Sequence, residues 1–521
     1  FLLGIPTSSA RAFPPVRVDR NRWQYDLFFT DDFKVNSRLT LNLGVRYELH
    51  QPWRENHHMI SQFDIGTGSI VIEDGAMSKV SPIFPKGYVG IVEAKTVGWP
   101  GRTLLRTDRN NFAPRIGIAW RPFGSRTVFR TGYGLFFDVV PRNLNMGGVP
   151  FVLNEPGYTN PIGNPDVILP RVFPTTGTGG PSTAGIPAAV NPDLKIPYSM
   201  QYNVTIEHQL WDTGFRISYI GTNTRQGDWS YDYNSPAPDT RLYIDKPRPF
   251  PRYPSISYYT NGAGHQYHGL TLEAERQMAK GLYFQSSWTW ARDIGDMERG
   301  MGPENPFDRR RCVAVAEDIP THRVTANAIY QFPFGKGRHW MSGASRPLNL
   351  LVGGWEISAI YSIYSGQFLT PYWSGPDPTG TAYTTSRTPA SVTRRPDHLR
   401  DANLPEDQRS VNRWFDEKAF EQPRAGQYGT AARGVIKGPG VNVWHVGFFK
   451  NFEFAERGPR LRWELTATNF FNHPNWSNPG STNITQLGNV GVISGVGGVN
   501  GSSTGDQPGP RSFRMGVRVE W

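Results

Sequence analysis

In the segment Ser512-Phe-Arg-Met-Gly-Val-Arg-Val-Glu-Trp521 every second residue is apolar. Phe513, Met515, Val517, Val519 and Trp521 fall on one face of a strand, and Arg514, Gly516, Arg518 and Glu520 on the other. Side chains alternate across a strand, so this is an apolar face backed by a polar one. A soluble sandwich strand reads the same way. The balance is tipped by recurrence: the pattern repeats many times, with short and long connections alternating between copies, which is how a membrane β-barrel is written.

Working back from this strand, six hairpins are predicted. They pair 23–33 with 39–48, 112–121 with 126–137, 200–210 with 214–222, 268–277 with 281–291, 322–332 with 353–364, and 441–452 with 460–470. In the first, Trp23, Tyr25, Leu27 and Phe29 share a face, and so do Leu39, Leu41, Leu43, Val45 and Tyr47. The long connections are 50–111, 138–199, 223–267, 292–321, 365–440 and 471–510, read as irregular apart from a strand-like run at Ser69–Glu73, and 333–352 is a moderately short turn. Residues 1–22 read as a lead-in segment. Short turns are expected on the periplasmic side and long loops outside the cell.

The fold expected is therefore all-β: an antiparallel transmembrane barrel with thirteen strands visible in this sequence. Bacterial barrels of this kind have even strand numbers, and an open edge in lipid leaves backbone groups unpaired. Upstream strands, in the same chain or another, are accordingly expected. The charged residues on the outward face are His208, Arg276 and Lys450, all at the short-turn ends of their strands, where their stems are expected to snorkel to the interface.

Composition agrees. Mean hydropathy is −0.48, and no run of 18 apolar residues occurs, which excludes a helical membrane protein but not a barrel, where alternate residues alone face lipid. The 16 Trp, 22 Tyr and 30 Phe suit interfacial girdles. One cysteine, Cys312, rules out an internal disulfide and a multi-thiolate metal site. The net charge of +11 fits attraction to lipopolysaccharide phosphates and anionic headgroups, or equally arginines lining a polar lumen.

Several stretches resemble the large TonB-dependent receptors of the Oar-like type, which carry a carboxypeptidase-regulatory-like N-terminal domain. They run from Phe29 to Val35, Arg38 to Glu48, Asn111 to Gly117, Thr131 to Asp138, Ile196 to Tyr202, Gly353 to Trp355, Tyr364 to Gln367 and Asn469 to Asn475. The resemblance implies a barrel of about 22 strands with an N-terminal plug, a TonB-binding segment and energy coupling through the TonB complex. The sequence shows neither plug nor TonB box. The family's terminal aromatic maps to Trp521, which implies that Phe513, Met515, Val517, Val519 and Trp521 act as the signal for the barrel-assembly machinery.

No nucleophile elbow, phosphate loop or zinc-protease motif occurs, so no catalytic residue and no enzyme activity is expected. No cofactor or metal is expected either: His57-His58, the pair His265 and His268, and Asp228, Asp232 and Asp239 lack the ligand spacing of known sites. The polar strand faces place Arg46, Glu48, Asn203, Glu207, Arg323, Arg462 and Glu464 on a lumen wall. Arg309-Arg310-Arg311 has the chemistry to grip a phosphate or carboxylate, and Tyr372, Trp373 and Trp414 that to stack on a planar ligand; solvated arginines and loop self-packing are the plain alternatives. Nucleic acid is not an expected partner.

These observations point to an outer-membrane active transporter whose loops capture an unidentified extracellular ligand. The alternatives are a structural or adhesive outer-membrane protein that binds a surface partner, and a passive or export pore.

Overall fold

The computed structural model describes all residues except 1–3, 10–11, 140–144, 155–157, 161–162, 164, 166, 171–184, 297–302, 454–457, 497–508 and 521. Its main sheet follows the chain without a crossover, each strand antiparallel to the next. The strands are β1 (Gln24–Asn36), β2 (Leu39–His50), β3 (Phe112–Trp120), β4 (Thr127–Phe137), β5 (Tyr198–Leu210), β6 (Thr213–Asp232) and β7 (Ser257–Ala279). They continue through β8 (Leu282–Gly295), β9 (His322–Gln331), β10 (Trp355–Tyr364), β11 (Val441–Glu453), β12 (Arg460–Thr468) and β13 (Ser512–Glu520). These thirteen are the expected strands, and two short ones, Ala189–Val190 and Ala314–Val315, join the sheet off this path. Among the described residues β1 and β13 pair on one side only and form the sheet's two edges.

Local chemistry closes the hairpins. Between β7 and β8 the chain reverses over Lys280 (φ 52°) and Gly281 (φ 81°), the pair of left-handed residues that matches the twist of the flanking strands. Gly281 is also packed: a Cβ there would sit 2.8 Å from the Gln331 carbonyl oxygen.

The outward face is not a protein core. Leu27 is 71% exposed, Phe29 68%, Ile217 49%, Met515 74% and Val517 61%. Of the largest fully buried side chains, among them Phe63, Phe151, Leu104 and Phe415, none lies in the thirteen strands. Aromatic pairs gather at both ends of the outward face. Trp120 meets Phe129 and Trp355 meets Trp463 near the short turns, while Trp288 stacks on His322 and Tyr361 on Trp444 near the long loops. Two such belts bracketing an apolar band are the signature of strands that cross a bilayer.

The loops depart from the irregular reading. Residues Ile60–Asp64, Ser69–Ile72, Ile91–Glu93 and Asn145–Met146 form a separate four-stranded sheet. Segment 223–267 is strand at both ends, because β6 runs for 20 residues and β7 for 23. About ten residues cross the apolar band, so the rest stands clear of it. There both faces meet water or other loops, and the alternation that marks a membrane strand vanishes from the sequence; a bulge near Gly227 adds a break in register. Connection 333–352 contains a helix, α1 (Arg346–Val352). Among the described residues no helix is long and apolar enough to cross a membrane.

That helix corrects the reading of Lys450. The side chain is 2% exposed and does not snorkel; its ammonium donates to the carbonyl oxygens of Leu351, at 3.1 Å, and Gly353, at the C-terminal end of α1. The Trp355 and Phe452 rings flank it. His208 and Arg276 are tied locally as well, to Thr127 and to Asp212 in the adjoining turn.

An Ile217→Arg substitution in mid-strand on the outward face is expected to destabilise the protein in lipid vesicles by about 2–4 kcal/mol. Arginine at Thr325, on the opposite face, is expected to cost much less. Equilibrium unfolding of both variants in the same lipid reads the difference.

Candidate functional site

The inner face of the sheet carries the polar side chains, and strand register makes them meet. Glu207 on β5 stands directly opposite Arg216 on β6, which stands opposite Glu273 on β7. The separations are 3.2 Å from Arg216 to Glu207 and 2.8 Å from Arg216 to Glu273, and Arg130 on β4 adds a diagonal contact of 3.4 Å to Glu207. Four neighbouring strands are thus linked by a ladder of alternating charge. Each pair is half exposed and is worth at most about 1 kcal/mol, so the ladder sets the polarity of the wall more than its stability.

A second network lies towards β13. Arg462 on β12 reaches Glu464 at 3.0 Å and, across β11, Glu356 on β10 at 3.2 Å. Its guanidinium passes 4.4 Å from the Phe449 ring centroid. The ring lies over Gly447, where any Cβ would be 2.7 Å from it. Gln331 completes the group by donating to Glu356. Towards the long-loop end, Arg323 lies over Tyr364 and helps line a recess of about 340 Å³ with Glu273, Glu275 and Thr325. Asn203 borders another, of about 350 Å³, with Asp32, Asn42 and Arg115. Arg46 on β2 lies 3.1 Å from Asp26 and 2.8 Å from Glu48. All seven side chains expected on the wall are on the polar face of their strands.

The loops above the wall are folded bodies. One core packs Ile60, Val71, Leu104 and Ile196. A second packs Phe63, Ile70, Phe151 and Ile256, and a third Phe415, Phe420 and Ile436. Buried polar groups join one loop to another. Lys246, with its side chain 1% exposed, donates to the carbonyl oxygens of Ala237, Asp239 and Thr379. Arg395 bonds Glu304 at 2.6 Å.

The three arginines of the 292–321 connection do not converge on one point. Arg309 pairs with Asp296 and lies over Trp229; Arg311 donates to the Gly429 carbonyl oxygen. Arg310 is 93% exposed and contacts its neighbour Asp308. Of the aromatics, Trp373 is buried in the loop assembly and Tyr372 is half-buried. Trp414 donates its indole N–H to the Lys437 carbonyl oxygen and borders a cleft of about 1030 Å³ with Trp290, Arg292, His322, Lys437 and Trp476. The loop-linking groups Lys246, Glu304 and Arg395 were not picked out from the sequence, because nothing in local spacing announces a contact between loops. Phe513, Met515, Val517 and Val519 form an exposed apolar row on β13; Trp521 lies outside the described residues.

An antiparallel sheet that turns apolar side chains outward between aromatic belts, and arginine–carboxylate ladders inward, defines an outer-membrane β-barrel protein. The chain belongs to the outer membrane beta barrel domain family, whose profile matches residues 1–512. It resides in the bacterial outer membrane. Among solved structures it is similar to the pyoverdine-bound receptor FpvA of P. aeruginosa, with 11% identity over 96% of this chain and 38% of that one, at a TM-score of 0.40. The outer membrane transporter YddB of Escherichia coli matches with 11% identity over 95% of this chain and 44% of that one, at 0.43. The FrpB iron transporter of Neisseria meningitidis matches with 11% identity over 96% and 46%, at 0.37. The chain spans less than half the length of each. No curated protein matches it.

Among the loop carboxylates, Glu73 has a perturbed acidity. Burial pushes it up to about 7, against the pull of Arg102 at 2.8 Å and the Ile60 amide. The folded loop therefore holds a proton that the unfolded chain, with a carboxyl near 4.5, releases. Its contribution is greatest below pH 4.5 and falls as pH rises to about 7. Limited proteolysis of the 60–72 segment is expected to speed up across that window, and Glu73→Gln to flatten the dependence.

Proposed function

We propose that this chain forms part of the barrel of a TonB-dependent outer-membrane receptor that imports an extracellular ligand. The observation that carries the reading is the pairing of a charged inner wall with folded loops at one mouth of the sheet. The loops supply preformed walls for capture. The ladder of Arg130, Glu207, Arg216 and Glu273 and the network of Arg462, Glu464 and Glu356 offer a polar surface along which a hydrated solute moves. In this reading the short turns face the periplasm, and Asn203, Arg323 and Arg46 line the path with them. Arg310 and Trp414 are the loop side chains best placed to meet a ligand, the first by exposure and the second by bordering a cleft.

The unpaired sides of β1 and β13 call for further strands, since an edge in hydrocarbon leaves several kcal/mol per backbone group unsatisfied. We assign those strands, and a plug that gates the lumen, to the same chain or to a partner. The resemblance of the quoted stretches to Oar-like receptors supports the TonB assignment. The exposed row Phe513, Met515, Val517 and Val519, with Trp521, is proposed as the assembly signal. An adhesive role is the second reading, favoured by the hydrophobic cores inside the loops; stable loop bodies serve a binding surface as well as a gate.

The receptor expressed from its own start codon, purified and placed in planar bilayers, is expected to show no steady conductance and to be captured by the periplasmic domain of TonB. A large constant conductance without TonB would mark a passive pore. A silent barrel that TonB does not retain would favour adhesion.

A further inference from the structure

At the long-loop end of β1 and β2, on the inner face, three side chains from two strands converge. Asp26 pairs with Glu48 directly across the ladder, and Gln24 with His50, so Asp26, Glu48 and His50 share one face within two residues of each other. One donor atom from each lies within 4.8 Å of the other two. His50 is 3% exposed, and neither of its ring nitrogens makes a hydrogen bond. Its Nε2 faces Asp26 Oδ1 at 3.5 Å and Glu48 Oε2 at 3.4 Å. Asp26 Oδ1 is likewise buried and without a hydrogen bond.

The two carboxylates divide their oxygens. Asp26 Oδ2 accepts from Gln24 at 3.1 Å and lies 3.1 Å from the Arg46 guanidinium, and Glu48 Oε1 lies 2.8 Å from Arg46. The remaining oxygens, Oδ1 and Oε2, are turned to the imidazole. A buried imidazole and a buried carboxylate oxygen left without hydrogen bonds are unfavourable, so the arrangement calls for a positive species between these atoms. Two donors each about 2.1 Å from an ion, at tetrahedral angles, lie about 3.4 Å apart, which is the spacing of Nε2 to both oxygens. Arg46 offsets one of the two carboxylate charges, and one negative charge remains to attract a cation.

We propose that Asp26, Glu48 and His50 form a divalent-metal site on the inner wall. One imidazole nitrogen and two carboxylate oxygens select an ion that accepts mixed ligands, such as Zn²⁺, Co²⁺ or Mn²⁺, over Ca²⁺, which takes oxygen alone. Three protein donors leave a coordination position open for water or for a group carried by a solute. The site stands whether or not the barrel imports anything. Sequence spacing hid it, because its ligands come from two strands and lack a compact motif.

Titration of the full chain in detergent with Co²⁺, followed by its visible absorption and by calorimetry, tests the site. The wild type is expected to take up one ion in a tetrahedral or five-coordinate environment. His50→Ala is expected to weaken binding by at least the roughly 10–100-fold that losing even an outer-shell partner costs. The isosteric Glu48→Gln guards against a folding defect and is expected to weaken it too, with an unchanged circular dichroism spectrum. Binding of equal strength in the wild type and both variants would place the ion on other histidines and overturn the proposal. So would a wild type that takes up no Co²⁺ at millimolar concentration.

Discussion

Hydrocarbon cannot hydrogen-bond to a peptide group, and most of this structure follows from that. Each N–H and C=O that enters the bilayer must find its partner on a neighbouring strand. Among the described residues the thirteen sequential strands meet the requirement everywhere but along the outer sides of β1 and β13, by pairing each with the next, antiparallel and without a crossover. Once the ladder is fixed, side chains have two destinations. Leu27, Ile217 and Met515 go to lipid; Arg216, Glu273 and Arg462 go to the inner wall. The apolar residues that would build the core of a soluble protein are used up on the outward face, and no side chain of the sheet ranks among the largest fully buried ones.

Core formation is displaced into the loops. Ile60, Phe63, Ile70 and Phe151 pack above the sheet, as do Phe415, Phe420 and Ile436. Water surrounds these segments, so ordinary hydrophobic burial operates there. The polar groups that link the loops, Lys246 to Thr379 and Arg395 to Glu304, are buried with their partners, as a charge removed from water must be. The result is a molecule with two solvents and two folding rules, joined where β6 and β7 extend beyond the apolar band.

The same division explains where chemistry accumulates. On the inner wall a charge costs little while water fills the space beside it, and cross-strand register brings opposite charges together. Near β1 and β2 the wall is covered, so His50 loses its water and meets two carboxylates. At Lys450 the cover is α1, whose last carbonyls take the ammonium. Both are places where a buried polar residue on a strand is answered by other polar groups rather than by water.

Strand identity and facing were legible in the sequence, because a period of two residues is a local property and lipid enforces it at every step. The run from Leu39 to Glu48 and that from Phe513 to Glu520 needed no knowledge of their neighbours to be read. Arg46, Glu207 and Arg462 fall on the polar face by the same parity. What the tertiary structure alone decided is whatever depends on meeting a distant segment: the strand content of 223–232, the sheet inside 50–111, the burial of Lys450, the separate fates of Arg309, Arg310 and Arg311, and the convergence of Asp26, Glu48 and His50. These rest on which neighbour a side chain finds outside the lipid, which leaves no periodic trace, because water and protein neighbours accept many side chains where hydrocarbon accepts few.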